Sequence, residues 1–198
     1  MHEPPTTPPW RPTQWRDPWR DAIEITLPLD PYVADQLRSG QPVRLTGPVL
    51  AARDAAHARL VAALRRGDTL PFELAGATIY YVGPTPGTSE HSVGSAGPTT
   101  SSRMDPYTPL LLERGLRGMI GKGGRSPEVV EAIRRFGAVY FLAVGGAGAL
   151  LGRHITRAEL IAYPDLGPEA VRMLWLDRFP VFVAIARHGD PMVPPYLG

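Results

Sequence analysis

The sequence predicts a single α/β domain built on a mixed sheet, and three observations predict it. Short apolar runs with strand-like alternation recur from residue 22 onward, helix-like amphipathic stretches separate them, and Gly or Pro punctuates most junctions. Strands interleaved with helices are the pattern of an α/β domain. With 43% hydrophobic and 20% charged residues among 198, the chain can bury a core and is not compositionally disordered.

Residues 23–27 alternate like a strand, and 30–37 read as a short helix stopped by Gly40. Residues 43–45 and 47–50 read as strand. Asp54–Arg66 is a helix with Leu60, Val61 and Leu64 on one side and Gly67 as its stop. A short buried strand over 78–82 precedes a long loop, 83–105, rich in Gly, Pro, Ser and Thr, and then a helix over 108–114. The remainder alternates: strand 118–120, helix Pro127–Phe136, strand 139–144, a Gly-rich turn and short helix over 145–151, strand 160–163, a helical turn over 168–174 and a last strand over 182–185. The expected organisation is an extended arm over 1–21, a domain over 22–190 and a Pro-rich tail over 191–198. The arm carries Trp10, Trp15 and Trp19, three of the four tryptophans. Proline blocks helix and ladder formation there, so the arm either folds back on its own domain or docks on a partner.

Composition excludes several functions. A net charge of +2 with no dense Lys/Arg run gives no phosphate-tracking stripe, so nucleic-acid binding is not expected. Arg65-Arg66 and Arg134-Arg135 read as solvated helix charge. There is no cysteine, hence no disulfide, no thiolate metal site and no cysteine-ligated cluster held by this chain. Met1-His2-Glu3-Pro4-Pro5 lacks the apolar segment of a secretory leader, and the run 138–151 is broken by Gly145, Gly146 and Gly148. No membrane partner is expected, and a cytoplasmic location is.

Three segments carry chemistry. A loop of this length is either functional or a misread element. It contains Gly94-Ser95-Ala96-Gly97-Pro98-Thr99-Thr100-Ser101-Ser102-Arg103-Met104-Asp105. Its glycines admit close backbone approach, its hydroxyls hydrogen-bond, and Arg103 offers a planar fork to a carboxylate. The plainer alternative is a Ser/Thr turn with Arg103 paired to Asp105. The second segment is Ile120-Gly121-Lys122-Gly123-Gly124-Arg125-Ser126, between a strand and a helix. It is not a phosphate-binding P-loop, because Gly123 follows the Lys where Ser or Thr belongs. Lys122 is the single Lys among 21 basic residues, in a chain that otherwise uses Arg. That makes its compact charge a candidate for a specific role. The third is Arg53-Asp54-Ala55-Ala56-His57 at a strand-to-helix junction. Asp54 suits an N-cap, His57 could bond Asp54 or settle in the core, and Arg53 can point toward the other two loops. Gly145-Gly146-Ala147-Gly148 is not a dinucleotide fingerprint, since Leu151 replaces the last Gly; tight backbone packing is expected of it.

Taken in order, Thr46-Gly47, Arg53-Asp54-Ala55-Ala56-His57, Tyr80-Tyr81-Val82-Gly83-Pro84, Gly94 through Asp105, Gly121-Lys122-Gly123 and Phe179-Pro180 resemble the β region of tartrate dehydratase and class I fumarase. The resemblance runs from about Ile23 to Gly189. It implies a swivelling-type β/β/α domain that closes against an α subunit or N-terminal domain. That second unit would hold a 4Fe-4S cluster through three cysteines, the substrate being a small hydroxy-dicarboxylate. By motif position it implies Thr99 as an acid/base participant, with Arg53, Arg103, Lys122 and Thr100 binding substrate. Asp54, His57, Ser95 and Asp105 stand as supporting candidates. The implied activity is that of a hydro-lyase. The sequence departs from the family at Ala186-Arg187, where an acidic pair is usual, and in its arm and tail. Two other readings remain open: a stand-alone member using no cluster, and a non-catalytic binding module.

Overall fold

The structure is a computed structural model and describes residues 17–89 and 91–195. Seven strands and five α-helices alternate along it: β1 (Ile23–Thr26), α1 (Pro31–Gln36), β2 (Pro42–Ala51), α2 (Asp54–Arg66), β3 (Thr78–Tyr80), α3 (Thr108–Glu113), β4 (Gly118–Gly121), α4 (Pro127–Phe136), β5 (Val139–Leu142), α5 (Gly148–Gly152), β6 (Ile155–Ala162) and β7 (Val171–Ile185). Local chemistry accounts for the helix ends. The Asp30 carboxylate accepts from the Tyr32 and Val33 amides at the start of α1, and the Ser126 hydroxyl accepts from the Val129 amide at the start of α4. Gly67 ends α2 at φ 79°, in the left-handed region that glycine enters without a Cβ clash.

β1 to β5 run parallel in sequence order, and β7 runs antiparallel to β2, β5 and β6. Because β7 pairs with β5 and also with β2, the sheet closes into a barrel-like ring, with β1 and β6 outside it. Successive strand residues face opposite sides. Tyr80, Val139 and Phe141 therefore join one core with β1, β7 and α1, while Ile79, Tyr81 and Tyr140 join a second core beneath α2, α3 and α4. No helix among the described residues is long and apolar enough to cross a membrane.

The segment 168–174, expected as a helical turn, corrects to two elements. A 3-10 turn covers Pro164–Glu169, and Val171 already begins β7. The last strand is correspondingly longer than 182–185. Arg178 interrupts its alternation at φ 48°, its amide donating 3.0 Å to Thr46 Oγ1 opposite a register shift between Leu45 and Gly47. Gly47, at φ 126°, is required there, since a Cβ would lie 2.7 Å from the Leu27 carbonyl oxygen. β6 also starts earlier than residue 160, its solvent-facing polar residues having hidden the pattern. Of the arm, residues 1–16, with Trp10 and Trp15, lie outside the described residues. Trp19 rests on its own domain, 4.9 Å from the Phe182 ring.

Candidate active site

Parallel strands deliver their carboxyl ends to one edge of a sheet, and α/β sheets gather ligand groups there. β2 leads into Arg53, β3 into Gly83, β4 into Lys122 and β5 into Gly145. β7, running the other way, begins at the same edge just after Glu169.

Two groups form there. In the first, Arg103 Nε donates 2.7 Å to Asp54 Oδ1, and Arg53 Nη2 lies 3.6 Å from both Asp54 Oδ2 and Glu169 Oε1. Asp54 is thus not the N-cap expected of it. Arg53 occupies the cap position, Asp54 stands in the first turn, and its carboxylate turns to two guanidiniums. The open α2 terminus is served instead by Glu169, whose Oε2 accepts 2.9 Å from the Ala55 amide. In place of the alternative pairing of Arg103 with Asp105, Arg103 pairs with Asp54 and Asp105 with Arg125. Arg53 Nε and Asp54 Oδ2 are buried with no hydrogen-bond partner among the described residues, so the group retains bonding capacity.

The second group joins the long loop to the Lys122 turn. The Thr99 amide donates to the Tyr81 carbonyl (2.8 Å), the Lys122 amide to the Thr99 carbonyl (3.3 Å), and the Ser101 amide to the Lys122 carbonyl (2.9 Å). Thr100 and Lys122 form a parallel bridge. The Lys122 stem passes 3.5 Å from where a Gly145 Cβ would stand. Among the described residues no side-chain hydrogen bond or ion pair engages the Thr99 hydroxyl or the Lys122 ammonium. A 3-10 turn, Ser101–Met104, connects the two groups and presents Arg103. The ladder thus brings Thr99, Thr100 and Lys122 together, while Asp54 joins Arg53 to Arg103.

Ser95, His57 and Asp105 stand apart from these groups. The Ser95 amide donates 2.8 Å to Thr85 Oγ1, and a Cβ on Gly148 would stand 2.5 Å from Ser95 Oγ, so Ser95 packs the Gly-rich turn. His57 is fully buried and does not bond Asp54. Its Nδ1 lies 2.8 Å from the Arg53 carbonyl oxygen, which can only accept, so the proton sits on Nδ1. Burial pushes its pKa down to about 4, and the ring stays neutral.

Sequence reasoning missed two residues. Glu169 has no motif around it, and only its approach to Arg53 and Ala55 reveals it. Arg125 stands in the sequence merely as part of the Lys122 turn, yet it is wholly buried. Its Nε donates 2.6 Å to Asp105 Oδ1, its Nη2 donates 2.7 Å to Thr108 Oγ1, and its guanidinium carbon lies over the Tyr81 and Tyr140 rings, 5.4 and 5.1 Å from their centroids. Burial opposes the charge, but Tyr81, Asp105 and Tyr140 outweigh it and hold the guanidinium above its ordinary pKa. No group of His, Cys, Asp and Glu suited to a metal occurs among the described residues.

Fold and site together define a mixed α/β domain with hydroxyls and cations gathered along one loop edge. The model of the family described as "Fumarase C-terminus" matches residues 6–193, and the chain belongs to that family. The anaerobic class I fumarate hydratase of Escherichia coli is 38% identical over 172 residues, covering 85% of this chain and 31% of that protein. Fumarate hydratase 2 of Leishmania major is 34% identical, covering 86% and 31% respectively. A Methanocaldococcus jannaschii protein named "Putative L(+)-tartrate dehydratase subunit beta" is 35% identical over 161 residues, 78% of this chain and 83% of that one. The chain therefore spans under a third of these fumarate hydratases but most of the subunit-sized relative.

Proposed function

We propose that the chain is the β component of a hydro-lyase acting on a C4-type hydroxy-dicarboxylate of the malate or tartrate class. Arg53, Arg103, Lys122 and Thr100 bind the substrate, and Thr99 handles a proton. The observation that carries this reading is the pairing of the Thr99–Ser101 segment with Lys122, beside the Arg53–Asp54–Arg103 group. A dianion needs several fixed cations, and each hydrogen bond to a charged group contributes roughly 1.5–3 kcal/mol. Dehydration removes hydroxide from one carbon and a proton from its neighbour. Thr99 Oγ1 is assigned that proton; a threonine hydroxyl is a poor base at its ordinary pKa, so neighbouring cations or a carboxylate from the partner must activate it. Similarity to a relative named as a tartrate dehydratase subunit beta supports an α partner, against which this swivelling-type domain closes. The chain has no thiolate to hold an iron–sulfur cluster, so the cluster belongs to that partner. When bound there it supplies a Lewis acid to the substrate hydroxyl.

The test is anaerobic, iron-reconstituted assay of the co-purified pair against hydroxy-dicarboxylates, with the isolated chain as control. Turnover by the pair and none by the chain alone is expected. Thr99→Val should abolish turnover and Thr99→Ser retain part of it. Lys122→Arg should lower kcat/KM roughly 10- to 100-fold, the value of one charged hydrogen bond. Full activity in Lys122→Ala, or no turnover by an iron-loaded wild-type pair on any such acid, overturns the reading.

A further inference from the structure

Beneath the site, Asp105 and Arg125 tie its two loops together from the core side. Asp105 follows the 3-10 turn that carries Arg103; Arg125 follows the turn that carries Lys122. Asp105 accepts Arg125 Nε on one oxygen and the Ser126 amide, at 2.7 Å, on the other. Thr108, bonded by Arg125 Nη2, donates 2.9 Å to the Met104 carbonyl, so the same guanidinium also steadies the end of the 3-10 turn. A second tie runs through Tyr140. Burial raises its pKa, and the neutral phenol donates 2.8 Å to the Gly123 carbonyl, leaving its oxygen to accept from Ser101 Oγ at 2.9 Å. Gly121 makes room, since a Cβ there would collide with Ser101 Oγ.

None of these groups is needed merely to fill space. A buried ion pair is weak support for stability, because apolar residues of similar volume often replace one without loss. A fork that reaches both loops fixes their spacing in a way apolar packing does not. We propose that Arg125, acting through Asp105, is the positioning residue that sets the spacing of Thr99 and Arg103 relative to Lys122. The proposal rests on the reading of Thr99, Arg103 and Lys122 as a binding site, but its first test does not require activity.

That test is amide hydrogen exchange on the whole chain, comparing Arg125→Lys and the double variant Arg125→Met/Asp105→Asn with wild type. The double variant removes the buried charges while leaving an acceptor for the Ser126 amide, so it stays foldable if the single variant does not. Leu45→Ala, in the other core, serves as a control for general destabilisation. The ladder amides of Ser101 and Lys122 should exchange at least about tenfold faster in the double variant than in the control, after matching for melting temperature. Arg125→Lys, keeping the charge without the fork, should fall between. The β5 amides should remain protected. Exchange that rises equally at Ser101, Lys122 and β5, or does not rise at all, overturns the proposal. In the assembled enzyme the double variant should raise KM and lower kcat together, whereas a purely structural loss lowers only the amount of active protein. An inactive wild-type pair would defeat the functional reading and leave the exchange result to stand on its own.

Discussion

At the scale of single residues, His57 carries the clearest pH signature. Its pKa falls from the ordinary 6.5 to about 4 because the folded chain buries it, with Nε2 facing no partner among the described residues. A group whose folded pKa is depressed is protonated first in the unfolded chain. The stability it allows is therefore fully present above about pH 6.5 and is lost as pH falls toward 4. The full loss is roughly 3 kcal/mol, because each tenfold weakening of proton binding corresponds to about 1.4 kcal/mol. His57→Asn can keep a donor near the Arg53 carbonyl without the titration. Melting temperatures across this window should fall more gently for that variant, and parallel profiles would remove His57 as the cause. The sequence put His57 beside Asp54 and left its role open. Burial decided it, through Tyr81 and Tyr107, whose rings lie 5.3 and 6.1 Å away. Lys122 stood out in the sequence for the opposite reason: one amine in an Arg-using chain, framed by glycines, is a local signal, and the structure pairs its backbone with Thr99 and Ser101.

At the scale of elements, α2 shows what a local pattern can and cannot reveal. Its span was readable because an apolar stripe and a left-handed Gly67 are local features. The side chain satisfying its first turn was not, because Glu169 lies 114 residues from Ala55. This carboxylate both caps the helix and neighbours Arg53. Glu169→Ala should thus cost about 1 kcal/mol of stability, as loss of a cap does. Glu169→Gln, which keeps an acceptor but loses the charge, should cost less. Denaturant midpoints at constant slope would measure both, and equal losses would argue against the cap. The difference at 168–174 has the same origin. Pro164–Glu169 turns in 3-10 fashion, and the strand that follows is broken in pattern by Arg178, so neither half showed its period.

At the scale of the whole molecule, closure depends on β7. It lines β2 from Pro42 to Ala51 and also pairs with β5 through Tyr140, Phe141 and Leu142. A chain ending at Ala170 would leave both edges unpaired, and exposed apolar edges associate. Such a truncation should give no cooperative thermal transition and should aggregate; a sharp, reversible transition would show that the ring is not what holds the fold together. Alternation alone announced an α/β domain, but not that its sheet closes, since closure joins segments far apart in sequence. The same strand imposes an order on biosynthesis. A ribosome releases the chain from its amino end, so β2 is complete long before its antiparallel neighbour exists, and waits with one edge bare while more than a hundred residues are added. Pairings of such long separation are slow to form. The nascent chain therefore reaches its final shape only after Ile185 clears the exit tunnel, and until then it is the kind of client that chaperones are built to hold.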